Sequence, residues 1–491
     1  MAGKTRARWN DREFWQWVSR AVFANPFSEQ RLELDRRIAG SFKNEAERAE
    51  FLQRAVSERI RDLEARGAAQ LRCYSGAERE VMRHAFLFEV FHRFYDKLDG
   101  LIAEQIRAGD QPTRVGFAAE ALALLTRRGF PRDEAVRFFG MFFQARRAYF
   151  FIVHGLSGES LCVRELRRHL WENVFTHDIR WYDHYLWNRM EEFSTLLLGE
   201  TGTGKGTAAA AIGRSGFIPY DEKQDRFAES FTRSFVALNL SQFPETLIES
   251  ELFGHRKGAF TGAAEAHEGV FARCSPHGAI FLDEIGEVSM PIQVKLLQVL
   301  QERTFSPVGS REKLRFRGRV IAATNRPLER LRDKNQFRDD FYYRLCSDVI
   351  VVPPLRRRLQ ESEGELEDLL GHIVRKMTGA AAPQLIALVR QALETGVGRD
   401  YAWPGNVREL EQAVRRILLT RRYEPGAKAA IQDARDELVA GMDGGTLDAD
   451  AVLARYCALL HRRHGTFEAV ARRTNLDRRT VKKYLKQAAD F

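Results

Sequence analysis

Over the first 150 residues, apolar positions recur at three-to-four spacing through Glu13–Val22, Glu45–Ala65, Glu78–Gln105, Val115–Arg128 and Arg132–Phe151. That period predicts helices with one buried stripe each. Gly67, Gly109, Pro112, Gly129 and Pro131 punctuate them, so the segment reads as an all-α domain over 1–150. The pattern then changes to short unbroken apolar runs, Leu196–Leu198, Ala279–Leu282 and Val320–Ala323. Such runs predict buried strands of a doubly wound parallel sheet. After Pro353-Pro354 the period is helical again, and Gly441, Gly444 and Gly445 mark a hinge before a last helical segment. With 491 residues the chain exceeds one compact core. The expected division is 1–150, an α/β segment 151–353, a small helical lid 354–440 and a C-terminal domain 446–491.

Composition changes this picture little. The aromatic sets Phe86, Phe88, Phe91, Phe94, Tyr95 and Phe138, Phe139, Phe142, Phe143, Phe150, Phe151 read first as core stripes and second as the wall of a ligand pocket. His84, His92 and His154 have no helical partner or nearby cysteine to suggest a metal. The five cysteines are scattered and show no C-x-x-C spacing, as expected for reduced thiols in a cytosol. No apolar run approaches the roughly 20 residues of a membrane span, and the N-terminus has no apolar signal core. A cytoplasmic protein without membrane contact is the expectation. The formal net charge of +10 suits an anionic partner without proving one.

Chemistry enters at Gly199-Glu200-Thr201-Gly202-Thr203-Gly204-Lys205. This glycine-rich turn follows an apolar strand and precedes the Ala-rich segment Ala208–Ile212, which is the context of a phosphate-binding loop. Its glycines let successive backbone N–H groups face a polyphosphate at a helix N-terminus, and Lys205 adds a point charge. Gly206 stands where most such loops carry the Ser or Thr that binds magnesium, and Thr207 is the candidate substitute. The run Ala279–Leu282 ends in Asp283-Glu284; Asp283 is the candidate Mg2+ ligand and Glu284 the group that polarises the attacking water of ATP hydrolysis. Asn325, after Val320–Ala323 and Thr324, is a third polar residue at a strand end, where ligands of such sheets collect.

Between these motifs lie Glu249-Ser-Glu-Leu-Phe-Gly254 and Gly258-Ala259-Phe260-Thr261-Gly262-Ala263. With this loop the chain resembles, over about residues 151–425, the bacterial enhancer-binding activators of sigma-54 RNA polymerase within the AAA+ ATPases. The resemblance implies that Gly258–Ala263 touches the sigma factor, with Phe260 and Thr261 as contact residues. It implies that Asn239 pairs with Glu284 and relays nucleotide state. Arg338 and Arg344 are implied to reach the ATP of a neighbouring subunit, and Arg408 in Trp403-Pro-Gly-Asn-Val-Arg-Glu-Leu410 to sense the γ-phosphate. Arginine suits such tasks because its planar, permanently charged fork matches phosphate oxygens. The chain departs from the family at Gly206, where an acidic residue is usual, and at Arg256, where Glu is common. Extra residues near Thr176–Asn188 and Gly216–Arg233 read as surface insertions.

Residues 451–491 hold ten Lys or Arg against three Asp or Glu. Thr466 and Asp477 are suited to cap helices Phe467–Arg473 and Arg478–Gln487 around the turn Thr474-Asn-Leu476. Val470, Ala471, Leu476, Val481 and Leu485 give these helices a shared seam. The pair is similar to the helix-turn-helix that ends many members of the family. Its second helix would offer Arg478, Arg479, Thr480, Lys482 and Lys483 to a major groove of double-stranded DNA.

Together these features predict a sigma-54-dependent transcriptional regulator: an oligomeric ATPase, hexameric by resemblance, that uses ATP and Mg2+ to remodel the sigma-54 polymerase holoenzyme. Two other readings stay open, a ring ATPase acting on another client and a nucleotide-gated DNA-binding regulator with little turnover.

Overall fold

The structure, a computed structural model, describes residues 11–398, 401–424, 434–435 and 438–488. The outermost ends of the first and last expected domains, and part of the expected lid, lie outside the described residues. The chain divides into two compact units. The first holds residues up to 157, 161–200 and 204–352; the second holds 158–160, 201–203 and residues from 353 onward.

Among the described residues the first unit holds nine strands: β1 (Thr195–Leu198), β2 (Tyr220–Asp221), β3 (Arg226–Phe227), β4 (Phe235–Asn239), β5 (Ala279–Asp283), β6 (Thr304–Phe305), β7 (Leu314–Arg315), β8 (Arg319–Thr324) and β9 (Asp348–Val351). Five of them form one parallel sheet in the order β4-β5-β8-β1-β9. The order places β1 between two neighbours and puts β8 between β1 and β5. Alternation along each strand sends Leu197, Phe281 and Ile321 to one face and Leu196, Ile280, Leu282 and Ala322 to the other. Helices Glu245–Phe253, Met290–Glu302 and Asp339–Leu345 supply buried residues to the second face.

The first face is covered by the helix Lys205–Gly213 and, beyond it, by the N-terminal helices. These run Arg12–Phe23, Glu29–Ala39, Glu45–Ala65, Gly76–Arg93, Tyr95–Ala108, Ala118–Arg128, Arg132–Gly155 and Leu161–Phe175. The expected single helix Glu78–Gln105 is broken at Phe94, whose buried ring stacks on Phe117 at 5.8 Å. Glu29–Ala39 was not anticipated, although Ser28 caps it through a hydroxyl that accepts from Arg31 N. One apolar cluster runs unbroken from Phe14 through Phe139 and Ala208 to Ile321. The expected border near residue 150 therefore falls inside the long helix Arg132–Gly155 and inside a shared core.

The two supposed surface insertions are corrected by this core. Tyr182 and Ile218 are fully buried, and Phe227 and Phe231 nearly so. The β2–β3 hairpin lays Phe227 on Phe143 at 4.2 Å and on Phe139 at 5.9 Å. Tyr182 exchanges hydrogen bonds with Gln144. The buried aromatic residues of these segments meet the long helix, a partner that lies far off in sequence, while Trp181, Tyr185 and Glu222 stay exposed.

In the second unit, helices Leu355–Glu361, Glu365–Thr378, Pro383–Gly396 and Asn406–Thr420 enclose Leu370, Val389, Leu410 and Val414. Glu365 is fully buried there and satisfied by Arg358 at 2.7 Å and by the backbone N–H groups of Glu159 and Ser160. The C-terminal helices Ala449–His464, Phe467–Thr474 and Arg478–Gln487 close on Cys457, Val470 and Val481. Thr466 and Asp477 cap as expected, the latter accepting from Arg479 N at 2.7 Å and Thr480 N at 3.0 Å. Asn475, left-handed at φ 55°, makes the turn between them. Among the described residues no helix is long and apolar enough to cross a membrane.

Candidate functional site

The carboxyl ends of β1, β5 and β8 assemble the site. From β1 the chain turns through Gly199–Gly204 into the helix that starts at Lys205. Gly202 and Gly204 have φ of 82° and 104°, a region nearly closed to residues with a Cβ. Lys205 is buried, and its Nζ donates to the carbonyls of Gly199 at 2.8 Å and Glu200 at 3.1 Å. The loop thus holds its lysine against its own backbone, beside the helix N-terminus where an anion would be stabilised. Gly206 is exposed, and a Cβ there would meet nothing closer than Phe281 at 3.8 Å. Packing does not require the missing side chain.

Within the second unit, residues 201–203 are gripped by the turn Trp403–Asn406. Asn406 is fully buried; its Nδ2 donates to Thr201 O at 3.1 Å, and its Oδ1 accepts from Leu355 N at 2.7 Å. Arg408 N donates to Gly202 O at 3.3 Å, while the Arg408 side chain is exposed. Sequence reasoning passed over Asn406, although its place after Trp403-Pro-Gly405 and its positive φ of 54° mark a constrained turn. A Cβ on Gly202 would lie 2.2 Å from Gly405 O. Gly202→Ala is therefore expected to destabilise the folded chain by about 1–3 kcal/mol, seen as a lower thermal midpoint, whereas Gly206→Ala leaves it nearly unchanged.

At the end of β5, Asp283 accepts from Glu284 N at 3.1 Å. Glu284 sits at φ 59°, ψ 45°, a left-handed conformation for a residue with a long side chain. Its Oε2 is buried and has no hydrogen-bond partner among the described residues. Strain and an orphaned carboxylate oxygen on one residue are costly, and they cluster where function demands them. β4 brings Asn239 level with Asp283. Its Oδ1 accepts from Ser241 N at 3.0 Å and from Ser241 Oγ at 2.7 Å; no bond to Glu284 is formed among the described residues. Asn325 follows β8 as an exposed residue.

The loop Gly258–Ala263 is a closed hairpin: Gly258 N donates to Ala263 O at 2.8 Å and Ala263 N to Phe260 O at 3.0 Å. Gly258 and Gly262 have φ of 78° and 102°. Ala259 is half-buried and Ala263 buried, whereas Phe260 is 38% exposed and Thr261 is exposed. The Phe260 ring leans edge-on against His255 at 4.9 Å. His255 is itself fixed by Ser250 Oγ at 2.6 Å and Glu265 O at 3.0 Å. The ring thus keeps a little over a third of its surface open while its edge rests on His255. Arg256, the basic departure in the stem, pairs with Glu312.

Two arginines lie elsewhere in the first unit. Arg338 is on the surface, paired with Asp340 at 2.7 Å. Arg344 donates through Nε and Nη2 to Leu300 O at 3.0 Å. On the last helix, Arg478, Arg479, Lys482 and Lys483 are exposed and Thr480 is half-buried; Arg478 pairs with Glu468 at 3.0 Å.

Residues 185–351 match the model of the sigma-54 interaction domain. The Nif-specific regulatory protein of Azotobacter vinelandii is 44% identical over 223 residues, which are 45% of this chain and 39% of that protein. The Sigma54-dependent transcriptional activator SfnR of Pseudomonas putida is 42% identical over 229 residues, 47% of this chain and 57% of the relative. The regulatory protein AtoC of Escherichia coli strain K12 is 36% identical over 230 residues, 47% and 46% of the two chains. The chain thus spans about half the length of the curated relatives it matches. Among solved structures, NtrX from Brucella abortus in complex with ATP is similar at a TM-score of 0.41 and 19% identity, covering 76% of this chain and 80% of that one. The match to the sigma-54 interaction domain thus falls on the parallel α/β segment, and over about half of its length the chain is similar to sigma-54-dependent transcriptional activators.

Proposed function

We propose that this protein is a sigma-54-dependent transcriptional regulator that couples ATP hydrolysis, between subunits of a ring, to remodelling of the sigma-54 polymerase holoenzyme. The observation that carries this reading is the exposed Phe260–Thr261 tip on a glycine-closed hairpin, within a domain matched to sigma-54 interaction. Gly199–Thr207 bind the triphosphate through backbone N–H groups and Lys205. Asp283 would hold the magnesium ion that offsets phosphate charge. Glu284, with a buried oxygen left unbonded, orients and polarises the attacking water. Asn325 and Arg408 respond to the γ-phosphate, and Asn239 exchanges its Ser241 bonds for Glu284 as the nucleotide state changes. Arg338 and Arg344 complete the site of a neighbouring copy, which makes a hexameric ring the active form. Arg478, Arg479, Thr480, Lys482 and Lys483 hold the protein on upstream DNA by phosphate and base-edge contacts.

The segments 1–150, 151–353, 354–440 and 446–491 are proposed to serve as helical regulatory layer, motor, lid and DNA-binding module, the first two divided by role within one shared core. Transcription from a sigma-54 promoter in a purified system tests the whole. Thr261→Ala and Phe260→Ala are each expected to lower transcript yield by about tenfold or more, as removal of a hot-spot contact does, with ATP hydrolysis retained. Unchanged transcription with either variant would sink the reading.

A further inference from the structure

The N-terminal helices, with Ile179 and Asp183, line a cavity of about 180 Å³ that is partly open to solvent. Phe88, Phe91 and His92 of helix Gly76–Arg93 face it from one side, and Met141, Phe142 and Tyr149 of the long helix from another. The exposed walls are mainly apolar, with Phe, Tyr and Trp rings among them, and a cavity of about 150 Å³ lined by apolar side chains takes up benzene. One ring with a small substituent fills this volume, and edge and face contacts with phenyl walls favour an aromatic one.

Charge narrows the class. The lining arginines are all engaged by carboxylates: Arg31 and Arg48 by Asp35, Arg83 by Glu134, Arg146 by Asp99. Asp183 is held by Arg137, Glu45 by Arg48, and Glu80 is exposed. None of the cations is left over for an anionic ligand. Burial, reinforced by nearby arginines, draws His84 down to about 4 and His92 to about 3, so both rings are neutral at physiological pH. His92 Nδ1 lies 2.9 Å from Phe88 O, which can only accept. Nδ1 therefore carries the proton, and Nε2, without a partner among the described residues, is an acceptor.

The long helix has a second face. Gln144 Nε2 donates to Ser215 O at 2.9 Å, and Arg147 donates to Arg214 O and Gly216 O, both at 2.8 Å. These carbonyls close the C-terminal end of the helix that begins at Lys205. Near the other end, Gly155 lets the long helix approach Thr207, whose methyl would lie 2.9 Å from a Cβ there. Positions 141, 142, 145 and 149 line the cavity, while 140, 144, 147, 151 and 155 face the motor, each series at helical spacing.

We propose that this cavity is a sensing site for an uncharged, single-ring aromatic compound carrying one hydrogen-bond donor, and that helix Arg132–Gly155 transmits its occupancy to the phosphate-loop helix. The ligand's donor bonds His92 Nε2 and its ring packs on Phe91 and Phe142. Occupancy biases the long helix between two packings against Arg214–Gly216, to the extent that the ligand prefers one of them. The binding step stands on the cavity alone; the transmission step rests on the ATPase reading above.

Calorimetry on the full chain with phenol, benzoate and fluorobenzene tests the first step. Phenol is expected to bind, and benzoate about tenfold or more weaker because its charge would be buried unpaired. Ala145→Leu, which fills the cavity, should weaken phenol by about tenfold or more. Ala49→Leu does the same from the facing helix if the first variant melts early. His92→Phe should weaken phenol by about fivefold and leave fluorobenzene unchanged. Absence of phenol binding, or binding indifferent to both leucine variants, overturns the site. Saturating phenol is expected to change the ATP hydrolysis rate by about fivefold; a bound ligand with an unchanged rate overturns the transmission. A chain that hydrolyses no ATP at all would instead refute the proposed function and leave the calorimetric result standing.

Discussion

Glu284→Gln is expected to lower ATP turnover by about 10²–10⁴-fold, the range of a lost general base, while nucleotide binding persists. The residue holds a left-handed backbone and a buried oxygen without a partner, two features that cost stability and return nothing to the fold. Glutamine keeps the length and polarity of the side chain and removes its basicity. Retained affinity with lost turnover then separates chemistry from folding. Glu284→Gly sharpens the comparison. It removes the same group, accepts φ 59° without penalty and is expected to melt higher by about 1 kcal/mol of stability. Activity in Glu284→Gln close to that of the parent would place the reacting water elsewhere.

Arg338→Ala is expected to lower turnover further, by about 10³–10⁵-fold, if its guanidinium completes the site of a neighbour. Among the described residues Arg338 forms its ion pair with Asp340 at the surface, a contact of little energetic weight, so the head group is readily surrendered to a phosphate. Arg344 is bound to Leu300 O and must give up two hydrogen bonds to do the same. Mixing distinguishes a bridging role from a local one. Chains carrying Arg338→Ala and chains carrying Glu284→Gln should each be inactive alone and regain turnover together, because some borders then join an intact arginine to an intact glutamate. A mixture that stays inactive removes the in-trans assignment.

Much of the fold was legible in the sequence for physical reasons. Three apolar runs became β1, β5 and β8 because strands buried on both faces must be continuously apolar. The two C-terminal helices began where Thr466 and Asp477 offered caps, since local hydrogen bonds fix such starts. What was not legible depends on distant partners. Tyr182, Phe227 and Phe231 looked like parts of surface insertions, because only the long helix, some 40–90 residues upstream in sequence, shows what they cover. The aromatic stripes divided: Phe86 and Phe94 are core, while Phe91 and Phe142 border a cavity. Periodicity marks which residues turn inward and is silent on whether the interior they reach is filled. Asn406 was missed because its partners, Thr201 O and Leu355 N, are brought together only by the turn.

The unbroken core from Phe14 to Ile321 bears on how this chain can be altered. Modular proteins exchange domains by cutting at linkers, but residue 150 lies within a helix whose Phe143, Gln144 and Arg147 complete the interior of the α/β segment. A chain begun at residue 151 would bare Ile218, Phe227 and Phe231 to water and leave buried carbonyls unbonded, and it is expected to precipitate when expressed. Grafts that carry the long helix and the β2–β3 hairpin together are the ones that should remain soluble. The N-terminal helices and the parallel sheet are inherited here as one piece.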